Sequence, residues 1–311
     1  MTSSSGEYNQ KDLLRGKFRQ SVSLLAWGYN EHESIVEFLD RAVALLDAAV
    51  EDFEIVFIDD GSTDGTGRMA DEYAAREPRV RCLHNETNRG VGYNCRRAIS
   101  EARKTYLFWQ TIDWSYDLAE LRVFLELLNH FDVVQGVRTF PTGKLDGVPG
   151  LSLILRIRSR SDNIGKAVMS LCNYYLIKFL FGAPFNDFQN VTFYKSVFIQ
   201  NVHLIANSSF ANPECLLKAL AAGKTIIEVP IGFIRRKAGV AKGTRFRSIM
   251  RSIGDILKGW LDWGWRMRLK NPFRLMQHVY RIPETERLAP QARALVEPLL
   301  ERHSRKPKSP A

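Results

Sequence analysis

A group of carboxylates directly follows a strongly hydrophobic run and is the clearest chemical signal in the sequence. Residues 54–58 read Glu-Ile-Val-Phe-Ile, and Asp59, Asp60 and Asp64 follow in a loop that also holds two glycines. Ligands bind at the carboxyl ends of the strands of parallel α/β sheets. Because adjacent carboxylates repel each other, a cost that helix capping does not require, Asp59 and Asp60 are predicted to bind a ligand. Asp64 is interpreted as the cap of the next helix.

The elements that must position these carboxylates alternate between strand and helix. Apolar runs predict five strands, at residues 21–27, 54–58, 80–83, 106–110 and 132–138. Helical spacing predicts the connections between them, at 33–50, 66–76, 93–102 and 118–129. This order predicts an α/β fold, a mostly parallel sheet with helices on both faces. Further on, a helix at 166–181, a strand at 191–194, a helix at 212–222 and a strand at 225–229 are predicted.

The residues at the strand ends also indicate which class of ligand is bound. No G-x-G-x-x-G follows the first strand, so the dinucleotide-binding fingerprint is absent. Carboxylates stand where those glycines would be, which favours a metal-bridged nucleotide. The four cysteines show no C-x-x-C spacing, so neither a zinc site nor a disulfide framework is indicated, and a reducing cytosol is expected. Neither a signal peptide nor a transmembrane helix is expected, because no apolar run reaches 18 residues.

One segment carries the positive charge of the chain. Residues 235–275 contain twelve Lys and Arg residues against two Asp residues, an excess equal to the net charge of +10 of all 311 residues. Within it, apolar side chains from Phe246 to Leu261 recur at helical spacing. A basic amphipathic helix with tryptophans is typical of a membrane interface. The alternative is a helix packed on the catalytic domain. Nucleic acid is not favoured, because the aromatic side chains form no stacking platform.

Three motifs, in this order, resemble those of the family 2 inverting glycosyltransferases of GT-A fold. They are Tyr29-Asn30-Glu31, the loop of residues 59–66, and Glu-Val-Pro-Ile-Gly-Phe at 228–233 followed by Arg236 and Lys242. The closest likeness is to the synthases of dolichyl- and polyprenyl-phosphate sugars. It extends from about residue 21 to residue 242.

This resemblance implies roles for particular residues. The residues implied to bind the nucleotide-sugar donor, UDP- or GDP-linked, are Asn30, Glu31, Asp59, Asp60, Arg89, Gly90, Asp113, Arg236 and Lys242. Asp113 would hold Mg²⁺ or Mn²⁺ against the diphosphate, Asp187 would be the catalytic base, and Arg236 and Lys242 would close over the diphosphate. Such a reaction needs the departing negative charge neutralised by a hard cation and by basic side chains.

The sequence departs from the family pattern at several places, and two of them concern the metal and the acceptor. Thr111-Ile112-Asp113 replaces the Asp-x-Asp motif, so Asp113 suffices alone, Asp117 assists it, or metal binding is weaker. In the lipid-phosphate synthases an Arg four residues before a Ser holds the acceptor phosphate. Lys166 and Ser170 have that spacing here, and Arg138 is a second candidate.

The sequence therefore predicts a disordered stretch at 1–18, a GT-A domain at 19–243, a basic amphipathic helical segment at 244–285 and a helical or disordered basic tail at 286–311. The expected activity is inverting transfer of a sugar from a nucleotide-diphosphate sugar to a polyprenyl phosphate. The expected location is cytoplasmic, peripheral at the inner face of the membrane. Two alternatives remain: a soluble glycan or metabolite acceptor, and a nucleotide-sugar-binding protein without catalysis.

Overall fold

The computed structural model describes residues 8–138, 164–188, 191–232, 234, 246–269, 277–280 and 285–304. One sheet of eight strands runs through these residues, in the order β3-β2-β1-β4-β6-β5-β7-β8. The strands are β1 Val22–Gly28, β2 Phe53–Asp59, β3 Val80–His84, β4 Tyr106–Trp109, β5 Val133–Arg138, β6 Thr192–Lys195, β7 Ile226–Ile231 and β8 Val279–Tyr280.

Helices connect most of these strands. They are α1 Gln10–Leu13, α2 Ile35–Ala49, α3 Thr66–Ala74, α4 Val91–Glu101, α5 Leu121–Leu127, α6 Ile164–Phe181, α7 Ser196–Ile199, α8 Ala211–Ala221, α9 Phe246–Gly259, α10 Trp265–Leu269 and α11 Pro290–Ser304. A π-helical segment, Trp260–Gly264, joins α9 to α10, and a 3₁₀ turn, Thr285–Arg287, precedes α11.

The sheet is parallel except at one strand. β1 pairs in parallel with β2 and β4, β2 with β3, β5 with β7, and β7 with β8. β6 lies between β4 and β5 and runs antiparallel to both. The start of β6 therefore lies at the edge where β4 and β5 end. The mostly parallel α/β architecture predicted from the sequence is confirmed.

Both faces of the sheet are buried, which explains the continuous apolar runs of its central strands. Leu24, Ile55 and Phe108 point to one face, where α2, α5 and α11 cover them. Leu25 and Val56 point to the other face, under α4, α6 and α8. Every residue of β2 is buried, so the strand that ends at Asp59 is covered on both faces.

The segment before β1 differs from the expectation of a disordered stretch up to residue 18. Residues 10–13 form α1, and the side chain of Gln10 donates to the carbonyl of Leu295 in α11. Phe18 is buried and forms a bridge with Val50. A single phenylalanine in a polar stretch gives no periodic signal. Its contacts are with the end of α2 and with the side chains of Tyr106 and Arg122.

The residues after 243 also pack on the core. In α11, Leu295, Val296 and Leu299 are buried among the side chains that cover the sheet. In the described part of α9, Ser252, Ile256 and Gly259 are buried. These helices are therefore integral to the domain in the structure. None of the helices in the described ranges has both the length and the apolar character that crossing a membrane requires.

Candidate functional site

The carboxyl ends of the parallel strands meet at one edge of the sheet. The register aligns Gly28, the last residue of β1, with Asp59, and Asp59 with His84 at the end of β3. β4 ends at Trp109 on the other side of β1. Because β6 is antiparallel, the loop that precedes it, with Asp187, reaches the same edge. Residues from five separate parts of the chain thus converge there.

Asp60 ties two of these loops together. Its Oδ1 accepts hydrogen bonds from the side-chain amide of Asn85 at 2.7 Å and from the backbone N–H of Arg89 at 2.8 Å. Its Oδ2 accepts one from the backbone N–H of Gly90 at 2.9 Å. Asp60 is 4% exposed. A buried carboxylate with these donors is fully compensated, and it fixes the position of Arg89 and Gly90 at the start of α4.

Gly61 allows the loops after β2 and β3 to approach closely. Its φ is +73°, and a Cβ there would lie 2.8 Å from the backbone carbon of Thr87. Both the left-handed conformation and the close approach require glycine. The next residue, Ser62, accepts a hydrogen bond at Oγ from the backbone of Asn30 at 2.9 Å, and Asn30 Oδ1 accepts one from Thr63 at 2.9 Å. The three loops are therefore interlocked.

Asp59 points away from Asp60, to the other side of the strand. Its Oδ1 accepts from the backbone N–H of Ser62 at 3.2 Å, and its Oδ2 lies 3.3 Å from His84 Nδ1. His84 Nε2 lies 3.0 Å from Asp71. Partial burial lowers the pKa of His84, but the hydrogen bonds to Asp71 and Asp59 outweigh it and raise that pKa above 6.5. The sequence alone indicated no partner for His84. The available signal was the alternation of side chains along β2 and β3, which places Asp59 and His84 on the same face of the sheet.

Asp64 holds the start of α3. Its Oδ1 accepts from the backbone N–H of Thr66 at 3.0 Å and from the Thr66 hydroxyl at 2.6 Å. Burial raises the pKa of Asp64, but these bonds and those from His32 lower it far more, to well below its usual value. Glu31 donates its backbone N–H to Thr66 Oγ1 at 2.8 Å. The cap predicted at Asp64 is displaced by one residue, because the N-cap of α3 is Gly65, in the left-handed conformation. Asp64 instead holds Thr66 from the position before the cap, and it also binds the backbone N–H of His32 in the loop after β1.

Asp113 lies in the loop after β4. Its Oδ1 accepts from the hydroxyl of Ser115 at 2.6 Å and from the backbone N–H of Ser115 at 3.2 Å. Asp117, in the same loop, donates its backbone N–H to the carbonyl of Gly232 at 2.9 Å. Asp113, Ser115 and Asp117 thus supply only oxygen atoms to this loop, and oxygen ligands are the kind that Mg²⁺ and Mn²⁺ prefer. The residues present therefore fit a hard divalent cation.

Asp187 is almost completely buried, with 1% of its surface exposed. Its Oδ1 accepts from the backbone N–H of Phe188 at 2.8 Å, and its carbonyl accepts from Gln135 Nε2 at 2.6 Å. The preceding Asn186 donates its backbone N–H and its side-chain amide to the two carboxylate oxygens of Glu228, at 2.7 and 2.6 Å. Glu228 belongs to one of the quoted motifs, yet sequence reasoning gave it no role.

The remaining predicted site residues are described only in part. Arg138 ends β5, where it pairs with Ile231, but its side chain is outside the described residues. Lys166 and Ser170 lie four residues apart in α6, and their side chains are also outside the description. Arg236 and Lys242 lie outside it altogether. Ile234, two residues before Arg236, donates its N–H to the carbonyl of Ser115, so the chain leaves β7 beside the loop of Asp113.

Two named relatives resemble this sequence over most of its length. Polyprenol monophosphomannose synthase of Mycolicibacterium smegmatis is 28% identical over 78% of this chain and 86% of its own length. Undecaprenyl-phosphate mannosyltransferase of Micrococcus luteus is 28% identical over 69% of this chain and 84% of its own.

Solved structures show the same fold. Glucosyl-3-phosphoglycerate synthase of Mycobacterium tuberculosis, solved with Mn²⁺ and UDP, has a TM-score of 0.54 at 13% identity and covers 83% of this chain and 86% of its own. A mannosyltransferase from Pyrobaculum calidifontis, solved with GDP-mannose and Mn²⁺, has a TM-score of 0.53 at 15% identity, with coverages of 96% and 81%.

The family model for glycosyl transferase family 2 matches residues 28–191, which is just over half of the chain. The match begins at the last residue of β1 and takes in the interlocked loops, Asp113 and Asp187. It takes in two of the three motifs quoted from the sequence, and the third, at 228–233, lies beyond it. The chain belongs to glycosyl transferase family 2.

Proposed function

We propose that this glycosyltransferase moves a sugar, with inversion, from a UDP- or GDP-linked donor to a polyprenyl phosphate. The observation that carries the proposal is the position of Asp187. Asp187 is buried, and Gln135 holds its backbone carbonyl from the sheet interior, at the edge where the proposed nucleotide loops converge. The names of two relatives, each matched over more than four fifths of its length, supply the class of acceptor.

The donor would bind across the interlocked loops. Asn30 and Glu31 stand after β1, and Asp60 holds Arg89 and Gly90 after β3. Three of the four lone-pair positions of the Asp60 carboxylate are used by protein donors, which leaves one on Oδ2 for a ligand. Asp59 would act on the donor indirectly, by fixing Ser62. The Arg89 guanidinium lies over the ring of Tyr93, 4.3 Å from its centre, at the exposed rim.

Asp113 would hold Mg²⁺ or Mn²⁺, with Asp117 assisting from the same loop. The cation would neutralise the charge that develops on the departing nucleoside diphosphate. Arg236 and Lys242 would add positive charge to the same diphosphate, since the chain leaves β7 beside Ser115. Thr111 would contribute less, because its hydroxyl accepts a backbone bond from Ser115 at 3.2 Å.

An oxygen of the acceptor phosphate would form the new bond to the anomeric carbon while the bond to the diphosphate breaks. The attacking oxygen approaches opposite the leaving group, which gives inversion. Asp187 would orient this oxygen and accept its proton when the phosphate is singly ionised. Arg138, Lys166 and Ser170 would bind the acceptor phosphate. A lipid acceptor places the enzyme at the cytoplasmic face of a membrane as a peripheral protein.

The test has two stages with the purified full chain. Thermal shifts with UDP- and GDP-sugars, each with and without Mn²⁺, identify the donor; a shift that requires Mn²⁺ and disappears in Asp113→Ala supports the metal assignment. Transfer of labelled sugar to a polyprenyl phosphate is then followed by product mass. Transfer to a soluble glycan and none to the lipid would refute the proposed acceptor. Donor binding without turnover on any acceptor would instead favour a binding protein.

A further inference from the structure

Exposed large apolar side chains are concentrated on two neighbouring helical segments. In the described part of the chain ten such side chains are exposed, and seven of them lie on α6 or between Met250 and Leu269. They are Tyr175, Phe179, Met250, Leu257, Leu261, Trp265 and Leu269. Single exposed apolar residues are ordinary, but a contiguous group marks an interaction surface.

Five of the seven form a line along α9, the π segment and α10. From Leu257 onward they follow each other at intervals of four, through Leu261 and Trp265 to Leu269. Positions four apart drift slowly around an α-helix, because one turn takes about 3.6 residues. The wider π turn at Trp260–Gly264 takes up part of that drift. The line therefore stays on one side over nearly 20 residues.

The opposite side of the same helices packs on the domain. Ile256, Gly259 and Met267 are buried there. A Cβ on Gly259 would lie 3.0 Å from Phe210, and one on Gly264 would lie 2.4 Å from Phe181. The sequence placed Trp260 and Leu261 on one membrane-facing side. In the structure Trp260 packs against the core and Leu261 is 64% exposed, so the exposed line is a second apolar side.

Helix α6 extends this surface. Arg268 donates to the carbonyl of Phe179, and its guanidinium lies 5.3 Å from the centre of the Phe179 ring. The rings of Phe181 and Trp263 pack in a tilted arrangement, with ring centres 5.0 Å apart. The two segments are thus fixed against each other, and Phe179, 70% exposed, lies beside the line.

Basic side chains border the line. Arg251, Lys258 and Arg266 each follow directly after one of its apolar residues, and all three are exposed. The two acids in this segment are Asp255 and the exposed Asp262. Asp255 accepts hydrogen bonds from the backbone N–H groups of Asn207 and Ser208, both at 2.8 Å. An exposed apolar line between cations is complementary to an anionic bilayer, where apolar groups enter the interface and each cation adds attraction.

We infer that this surface, defined by the seven exposed apolar side chains and the flanking Arg251, Lys258, Arg266 and Arg268, docks on an anionic lipid bilayer. The inference rests on the proposed function, since a lipid acceptor brings the enzyme to such a surface. The surface is also linked to the site. Tyr174, next to Tyr175 in α6, is buried and donates its hydroxyl to the carbonyl of Phe185 at 3.0 Å, two residues before Asp187. The helix that carries part of the docking surface therefore also contacts the loop of Asp187.

The experiment is cosedimentation of the full chain with vesicles of phosphatidylcholine containing phosphatidylglycerol. The variant is the double substitution Leu261→Glu with Leu269→Glu. The control is Val197→Glu on α7, because Val197 and Leu269 are both 74% exposed. A truncation is unsuitable, since α11 belongs to the core. We expect the double variant to lose on the order of a hundredfold in vesicle partitioning, from two leucines that leave the interface, and the control to bind like the unmodified chain.

Equal partitioning of the double variant and the unmodified chain would overturn the inference. A second result would also overturn it: the unmodified chain forms a dimer in light scattering, the double variant is a monomer, and neither binds vesicles. The surface would then join two copies of the chain. Transfer to a short, water-soluble prenyl phosphate separates the two proposals. Vesicle binding without such transfer refutes the proposed function alone, whereas transfer without vesicle binding refutes the docking surface alone.

Discussion

Gln135 and Glu228 are paired residues on adjacent parallel strands, β5 and β7, and each holds a different residue of the loop that carries Asp187. Gln135 donates to the carbonyl of Asp187, and Glu228 accepts two hydrogen bonds from Asn186. Both side chains are completely buried. A loop residue is thereby fixed from within the sheet, which limits its displacement when substrates bind.

Asp187→Asn should abolish most turnover and leave donor binding largely intact. The amide keeps an oxygen that can accept the N–H of Phe188, but it lacks the charge that a general base needs. The expected loss in transfer rate is roughly a hundredfold to ten-thousandfold. The transfer rate and the donor affinity by calorimetry check this, with Asp52→Asn at an exposed ion pair as the control. Unchanged activity of Asp187→Asn would refute the assignment of the base.

Glu228→Gln should reduce both stability and turnover. The glutamine side chain places an N–H group where Asn186 also places a donor, so one of the two hydrogen bonds from Asn186 is lost. The loss lowers the free energy of unfolding by about 1–3 kcal/mol. Glu214→Gln is the matched control, because Glu214 is also fully buried and accepts backbone bonds from Ile205 and Ala206. Both variants should melt earlier. Below the melting range only Glu228→Gln should have a lower kcat; equal kcat values would mean that Glu228 does not position the loop.

Gly61→Ala should destabilise the protein more than Gly223→Ala does. The two glycines have φ values of +73° and +72°, so the strain of an alanine is the same at both. A Cβ at Gly61 meets the backbone of Thr87 at 2.8 Å, whereas nothing lies within 4 Å at Gly223. The difference in unfolding free energy, from urea titration, therefore isolates the contact between the two loops. Donor affinity should fall in Gly61→Ala alone. Similar unfolding free energies and donor affinities for the two variants would contradict the interlocking of the loops.

The contacts of His84 should make stability depend on pH. Its pKa is raised in the folded state, so protonated His84 stabilises the fold below the unfolded pKa of 6.5, and this contribution is lost as the pH rises through the folded pKa. Unfolding free energies between pH 6 and 9 should fall more steeply for the unmodified chain than for His84→Gln. His203→Gln, at an exposed histidine, is the control. Parallel curves for all three proteins would show that the contacts with Asp59 and Asp71 have no energetic effect.

The strands were predictable because each is a short apolar run bounded by polar residues, and β1 to β5 lie within two residues of the predicted bounds. The partners of Asp59 and Asp60 were not. Alternation along a strand implies that neighbours point to opposite sides, but His84 and Asn85 reach them through the pairing of β2 with β3. Such contacts arise from tertiary structure and leave no local pattern.

The side of α9 that packs on the domain could not be predicted, for a related reason. The helix has two apolar sides, and periodicity does not say which one meets Phe181 and Phe210, which come from other elements. A usable signal was present in Gly259 and Gly264, because small residues mark the side that approaches another element closely.

The antiparallel strand β6 has a consequence for the order of folding. β1 to β4 pair with one another, and β4 also pairs with β6, which joins Leu107 to Tyr194. Pairings between strands far apart in sequence form slowly because a large loop must close first. During synthesis β1 to β4, which carry the loops proposed to bind the nucleotide, are complete before β6 has been made. We therefore expect nascent chains that already recognise a donor, yet acquire their base only when the second half closes the sheet.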